Sequence, residues 1–361
     1  RRSQSLTSSH EQLLMKIRLA SVAVAGLALS LATAARALDQ IRTAKGTAVN
    51  GTITEVNPRE ITLSLPNGDV ERLPVNEVEY IKFNGEPPQL NVGRTAALGG
   101  RYEDALRVLE KLGSEKIDRA EVQQDLQYLQ AYCLTKLALS GGGDVLEAGK
   151  AMREFVQRNA SSFHFLEASE LLGDIFTAIN KPDLAAQQYA AVERGAPWDD
   201  VKMRARIAKG YALLSQDKPH DALTEFEGAL SLAGQQDSPL VARQQQAAQL
   251  GKAACLAASG KPADGIALVE GVISKSDPEQ GELFARAYNT LGTCLRAAGK
   301  KKEALLAFLH VDVLYAAQAQ AHAEALKNLT ELWPEVGQPQ RAAAAQELLK
   351  SRYPNSRWAK G

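Results

Sequence analysis

The hydrophobic rhythm of the chain changes once along its length. Over residues 45–83 apolar and polar positions alternate: Ile61, Leu63 and Leu65 stand against Thr62 and Ser64. That period of two belongs to a strand with one buried face. Four runs, TAVNGTITEV, EITLSL, VERLPV and VEYIKF, are rich in β-branched residues. Asn57-Pro58-Arg59 and Pro66-Asn67-Gly68-Asp69 separate the first three, and the second of these spacers is a hairpin signal. The pattern predicts a small, strongly curved sheet or barrel of four or five strands over 38–88. Gly85-Glu86-Pro87-Pro88 closes it as a short stiff linker. From Gln89 the alternation stops, and apolar residues recur at helical spacing as far as Trp358.

A single frame recurs within this helical region. VGRTAALGGRYEDALRVL (92–109), LGDIFTAINKPDLAAQQY (172–189), KGYALLSQDKPHDALTEF (209–226) and LGTCLRAAGKKKEALLAF (291–308) place glycine, alanine and a large apolar residue at matching offsets. A small residue early in one helix and an alanine in the next let two backbones approach closely. The aromatic one turn later fills the gap behind the crossing, and Gly or Asn-Lys-Pro ends the first helix and starts the second.

This frame resembles the tetratricopeptide repeat over 89–361, with the fullest match at 166–199 and 285–316. The spacing departs from the family's 34 residues, since Ala185 and Ala222 lie 37 apart and Ala222 and Ala304 lie 82 apart. Seven helix pairs are expected, at 89–113, 121–159, 163–195, 201–234, 240–275, 281–316 and 318–352. The resemblance implies a mainly α fold, a right-handed α-solenoid in which neighbours supply each other's core. The ending RYPNSRWA (352–359) resembles that of repeat arrays in bacterial envelope proteins. The β runs, with Gly51 in a bending first strand and Asn76-Glu77-Val78 leading into the last, are similar to Sm-like small barrels.

Composition narrows the function. Hydrophobic content of 45% and charged content of 23% are those of a folded soluble protein. Met15-Lys16-Ile17-Arg18, the uncharged LASVAVAGLALSLATAA (19–35) and Ala35-Arg36-Ala37 together predict an export signal cleaved after Ala37. That run is short for a membrane span, so no integral membrane segment is expected in the mature chain. Five basic residues and one acid fall in 1–37; the remainder carries 37 basic and 41 acidic residues, a net −4. Such a surface has no electrostatic reason to seek nucleic acid. Residues 38–90 hold five basic and eight acidic side chains, with Tyr80 and Phe83 as the only aromatics, so a stacking platform for RNA is not expected there either.

Candidate chemistry is sparse. Cys133, Cys255 and Cys294 each lie on an apolar helical stripe and read as small buried hydrophobes. The five histidines show no metal-ligand spacing, and no nucleophile elbow or phosphate loop occurs. No cofactor, metal or catalytic residue is expected.

What remains is the concave groove. By resemblance, its contacts come from the first helix of each repeat: Glu167, Glu170, Asp174 and Thr177; Arg204, Ile207, Tyr211 and Leu214; Arg286, Asn289, Thr293 and Arg296. One end of the groove would be acidic, the other basic with an amide. The sequence is therefore expected to encode an exported, periplasmic or cell-envelope scaffold that recognises a protein or peptide in this groove. The alternatives are a structural envelope protein that self-assembles through the solenoid ends, or an enzyme of unfamiliar type.

Overall fold

The computed structural model describes residues 38–360 apart from 114–115, 235–237 and 278. The export signal expected over 1–37 lies outside the described residues.

Five strands come first: β1 (Asp39–Thr43), β2 (Ala48–Val56), β3 (Glu60–Ser64), β4 (Val70–Pro74) and β5 (Val78–Lys82). They form one antiparallel sheet in the order β4-β3-β2-β1-β5. The expected barrel is not formed, because β4 and β5 are the two open edges and do not pair. β2 passes from pairing with β1 at Gly51 to pairing with β3 at Thr52, and a Cβ on Gly51 would lie 2.9 Å from the Ser64 carbonyl oxygen. Yet the sheet spends its apolar face on the helices instead of closing on itself. Ile41, Ile61, Leu63 and Ile81 are fully buried in one core with Leu90, Leu109 and Leu166. The sequence pattern also missed β1, a five-residue strand that lies between β2 and β5 in the sheet.

Fourteen longer helices follow among the described residues: α1 (Pro88–Leu98), α2 (Tyr102–Leu112), α3 (Ala120–Leu139), α4 (Val145–Arg158), α5 (Phe165–Ala178), α6 (Pro182–Gly195) and α7 (Asp199–Leu214). Then come α8 (Pro219–Leu232), α9 (Pro239–Ala258), α10 (Pro262–Lys275), α11 (Gly281–Ala297), α12 (Lys301–Leu314), α13 (Ala319–Glu335) and α14 (Pro339–Arg352), with the short α15 (Arg357–Lys360) last. Proline occupies the first turn of α6, α8, α10 and α14, where its missing N–H costs nothing. The turns before these helices pass through left-handed residues, Asn180, Asp217, Gly260 and Gly337.

Glycine sets the depth of packing within a pair. A Cβ on Gly173 would lie 2.5 Å from the Tyr189 ring, one on Gly210 2.7 Å from Phe226, and one on Gly292 2.6 Å from Phe308. Gly251 approaches the same Phe226 from the next pair, at 2.1 Å. Phe226 is therefore clamped between two glycines and joins neighbouring pairs.

The odd-numbered helices also pack on one another, α7 on α9, α9 on α11 and α11 on α13, while each even-numbered helix packs on the following odd one. The odd-numbered helices thus form the tighter, inner layer and line the concave face.

Two features position that face. First, the sheet is docked along the edge of the array. Arg119, just before α3, clamps Asp39 at 2.6 and 3.1 Å and lies over the Phe83 ring. Farther on, Arg59 donates to the Gly195 carbonyl at 2.9 Å, and Asn76 donates to Asp200 at 3.1 Å. The expected linker 85–88 is pinned as well, because Glu86 takes both arms of the buried Arg94, which also reaches Asp125 at 2.7 Å. Second, the chain meets itself: the turn after α14 rests on the turn between α3 and α4, with the Asn355 N–H donating to the Gly141 carbonyl at 3.2 Å. Tyr353 anchors this end, its hydroxyl 2.7 Å from His322 Nδ1, while His322 Nε2 lies 2.7 Å from Asp312.

Candidate functional site: the inner face of the superhelix

All twelve expected groove residues lie on inner-layer helices: Glu167, Glu170, Asp174 and Thr177 on α5, Arg204, Ile207, Tyr211 and Leu214 on α7, and Arg286, Asn289, Thr293 and Arg296 on α11. Their exposure differs from the expectation. Ile207 is buried in the core. Asn289 is 3% exposed, with its amide nitrogen donating to the Ala321 carbonyl at 2.9 Å and to Glu324 at 3.3 Å. Glu167 and Thr293 are exposed.

The acidic and basic ends are not separate. Arg204 reaches back one pair to grip both oxygens of Glu170 at 2.7 Å. Arg296 reaches forward to Glu331 at 2.7 Å and Glu335 at 3.2 Å on α13. These contacts bridge successive inner helices, so much of the groove's charge staples the array together.

Asp174 behaves differently. Burial, and then its neighbour Glu170, push its carboxyl up to about 6, against the Tyr189 hydroxyl that donates to it at 2.7 Å. Glu324, on α13, is also pushed upward by burial, with Arg357 and Arg286 opposing. Tyr211 stands edge-on to Phe226 at 5.1 Å, and the Arg286 guanidinium crosses α9 to lie 5.3 Å from the Tyr211 ring centre. Small side chains on α9, Ala248 and Cys255, are fully buried beneath this crossing region.

Sequence reasoning missed a second constellation on α3. Asp125 accepts from Arg94 and lies 2.8 Å from His164 Nε2; the His164 ring stacks on Tyr128 at 3.7 Å. The Arg94 guanidinium holds the Asp125 carboxyl below its usual range despite full burial. Tyr132 and Lys136, one and two turns farther along α3, join the inner face, with Lys136 5.2 Å from the Tyr132 ring centre. The only available signal was the spacing Asp125, Tyr128, Tyr132, Lys136 on one helix stripe. The three cysteines are buried and unpaired, and burial pushes their thiols up to about 12, 12 and 11, away from reactivity. Among the described residues no group of three His, Cys, Asp or Glu side chains is placed to hold a metal ion, and no helix is long and apolar enough to cross a membrane.

No family model matches the chain, and no curated protein matches it by sequence. Solved structures do. A Rap protein complexed with competence and sporulation factor superposes with a TM-score of 0.54 at 13% identity, over 75% of this chain and 76% of that one. NprR in complex with its cognate peptide NprX gives 0.47 at 13% identity, over 73% and 77%. The C-terminal part of a TPR repeat-containing protein from Cytophaga hutchinsonii gives 0.39 at 14% identity, over 75% and 98%. At such identities the likeness concerns architecture alone. The helical region of the chain has a tetratricopeptide-like repeat fold.

Proposed function

We propose that the chain is an exported adaptor, not an enzyme, whose seven helix pairs act as seven repeats and present their inner face to a protein or peptide. The observation that carries this reading is the polarity of the inner layer. Glu167, Asp174, Arg204, Tyr211 and Arg286 turn to the concave side while the apolar stripes of the same helices face the core. A concave surface with scattered charges, two tyrosines and, among the described residues, no convergent nucleophile suits recognition by shape and a few anchors. The Rap protein of similar fold, seen in complex with a factor, is consistent with that use.

Export is supported by the leader pattern, and Asp39 adds a constraint. This residue is 1% exposed and accepts the Ile53 and Asn84 N–H groups as well as Arg119. Cleavage after Ala37 leaves it in place.

The test is a pull-down from envelope extracts with the wild type and a Glu167→Lys/Thr293→Glu variant. Both changes fall on open groove positions, so the fold should survive. Loss of the wild-type partners is expected; recovery of an identical set by the variant would refute the groove reading.

A further inference from the structure

α12 is apolar on two sides. Its inward stripe, Ala304, Leu305, Phe308 and Val311, is buried in the core. A second stripe, Leu306, Leu309, His310, Val313 and Leu314, recurs at steps of three and four residues on the solvent side. Leu306 is 58%, Val313 72% and Leu314 63% exposed. The repeat frame supplies the comparison. Counted from the fully buried alanine of each outer helix, the steps that give Leu306, Leu309, His310 and Val313 on α12 give Lys150, Arg153, Glu154 and Gln157 on α4. On α8 they give Thr224, Glu227, Gly228 and Ser231. Those helices pack without an apolar residue at any of these positions, so the stripe on α12 serves a contact outside the chain's own core.

The ends and flanks of the stripe restrict its partner. Lys300 and Lys301 are held by Glu303 and Glu335, while Lys302 is exposed and, among the described residues, has no carboxylate partner. Lys302 stands one turn before Leu306 on the same side. The stripe ends with Leu314 at the helix C-terminus, where the carbonyls carry the negative end of the dipole. A second α12 running antiparallel would set each Lys302 over the other's last turn and each Leu306 against the other's Val313 and Leu314. The two His310 rings would meet at the centre. Each is fixed in place, with Nδ1 2.9 Å from the Leu306 carbonyl and the ring stacked on Tyr288 at 4.6 Å. A parallel copy would set lysine against lysine. An anionic lipid surface is disfavoured by the exposed Glu270 on α10 and Glu347 on α14, the outer helices on either side. Small residues on the same helices, Ala267, Gly271 and Ala344, leave room beside α12 for a partner's helix.

We propose that this stripe is a homodimer interface, in which two copies of the chain pair through α12, antiparallel about a two-fold axis at His310. The contact is isologous, so it closes at two copies and does not propagate. One stripe of about two turns covers less than the roughly 800 Å² per partner of a standard interface. The pairing is therefore weak, with a Kd of about 10–100 µM. It joins two solenoids by their outer layers and leaves both inner faces open, so it stands or falls independently of the adaptor reading.

The test is sedimentation of the full chain from about 1 to about 300 µM, a range that brackets this Kd. The wild type should pass from monomer to dimer. Leu306→Glu alone and Leu314→Lys alone should each stay monomeric. An equimolar mixture of the two should associate again, because the new charges meet only across the antiparallel pair. Both positions are exposed, so the fold should survive, and any association through residues 1–37 is common to every sample. His310→Cys, at the axis, should form a disulfide-linked dimer under mild oxidation, whereas Thr224→Cys on α8 should not. The three native thiols are buried and stay out of that reaction. A wild type that is monomeric throughout, or that associates no more than the two single variants, overturns the proposal. So does a mixture that stays monomeric. Flotation with phosphatidylglycerol vesicles that Leu306→Glu abolishes would also overturn it, by marking a lipid surface.

Discussion

The backbone N–H of Asn355 donates to the carbonyl of Gly141 across 3.2 Å, joining the turn after α14 to the turn between α3 and α4. Gly141 sits at φ +87°, and a Cβ there would lie 3.2 Å from both the Ser356 nitrogen and the Tyr353 Cα. Both the conformation and the space at this position favour glycine.

Gly141→Val should therefore open this junction. The expected cost is about 2 kcal/mol of stability, from left-handed strain plus crowding, with a larger radius of gyration in solution scattering. Gly142→Ala is the control, because a Cβ there meets its nearest atom at 3.8 Å and the backbone is unstrained. If the valine variant matches wild type in both size and denaturant midpoint, the two turns are not joined in solution.

Phe226 supplies a second test. Gly251→Ala drives a methyl into a ring already held by Gly210, and overpacking of this kind costs roughly 1–3 kcal/mol. Gly271, on α10, has nothing within 4 Å of its added Cβ, so Gly271→Ala should stabilise by about 0.5–1 kcal/mol through helix propensity. Urea denaturation of the two variants should give shifts of opposite sign. Two shifts of the same sign would contradict the clamp.

Asp174 should make stability fall with rising pH. Its carboxyl is raised to about 6 in the folded chain, from an ordinary value near 4, so between these pH values the folded chain holds more protons than the unfolded one. This contribution is fully present below about pH 4 and is lost as pH rises through about 6. Asp174→Asn keeps an oxygen for the Tyr189 hydroxyl and cannot ionise. The variant should gain about 1–2 kcal/mol over wild type near pH 7.5 and nothing near pH 4. The same difference at both pH values would show that Asp174 is not under strain.

Much of the architecture is legible in the sequence because each repeat writes its own contacts. Gly173 and Tyr189 meet within a single helix pair, as do Gly210 and Phe226, so local spacing predicts the packing. The sheet is only partly legible. Alternation marks β2, β3, β4 and β5, but whether a curved sheet closes or leans on helices depends on Ile41 and Ile81 finding Leu90 and Leu166. No local pattern carries that information. β1 is short and carries no alternation signal of its own; Asp39, its buried anchor, finds Arg119 only in three dimensions.

At the candidate site, the helix positions of Glu170, Arg204, Tyr211 and Arg286 follow from the repeat frame. Their partners do not. The Glu170–Arg204 and Arg296–Glu331 pairs depend on the pitch between neighbouring pairs, which a period read along the chain does not contain. The same holds for two histidines whose spacing points to no role. His164 and His322 are buried, each held between a carboxylate and a tyrosine ring.

The docked sheet has a mechanical consequence. Arg119, Gly195 and Asp200 are all held by strands or strand turns of one sheet, which fixes the spacing of α3, α6 and α7 like a splint laid across several coils of a spring. Among the described residues, the coils from α9 to α12 have no such splint. Any tightening or relaxing of the superhelix when the lumen is filled would concentrate there, in the half that holds Arg286.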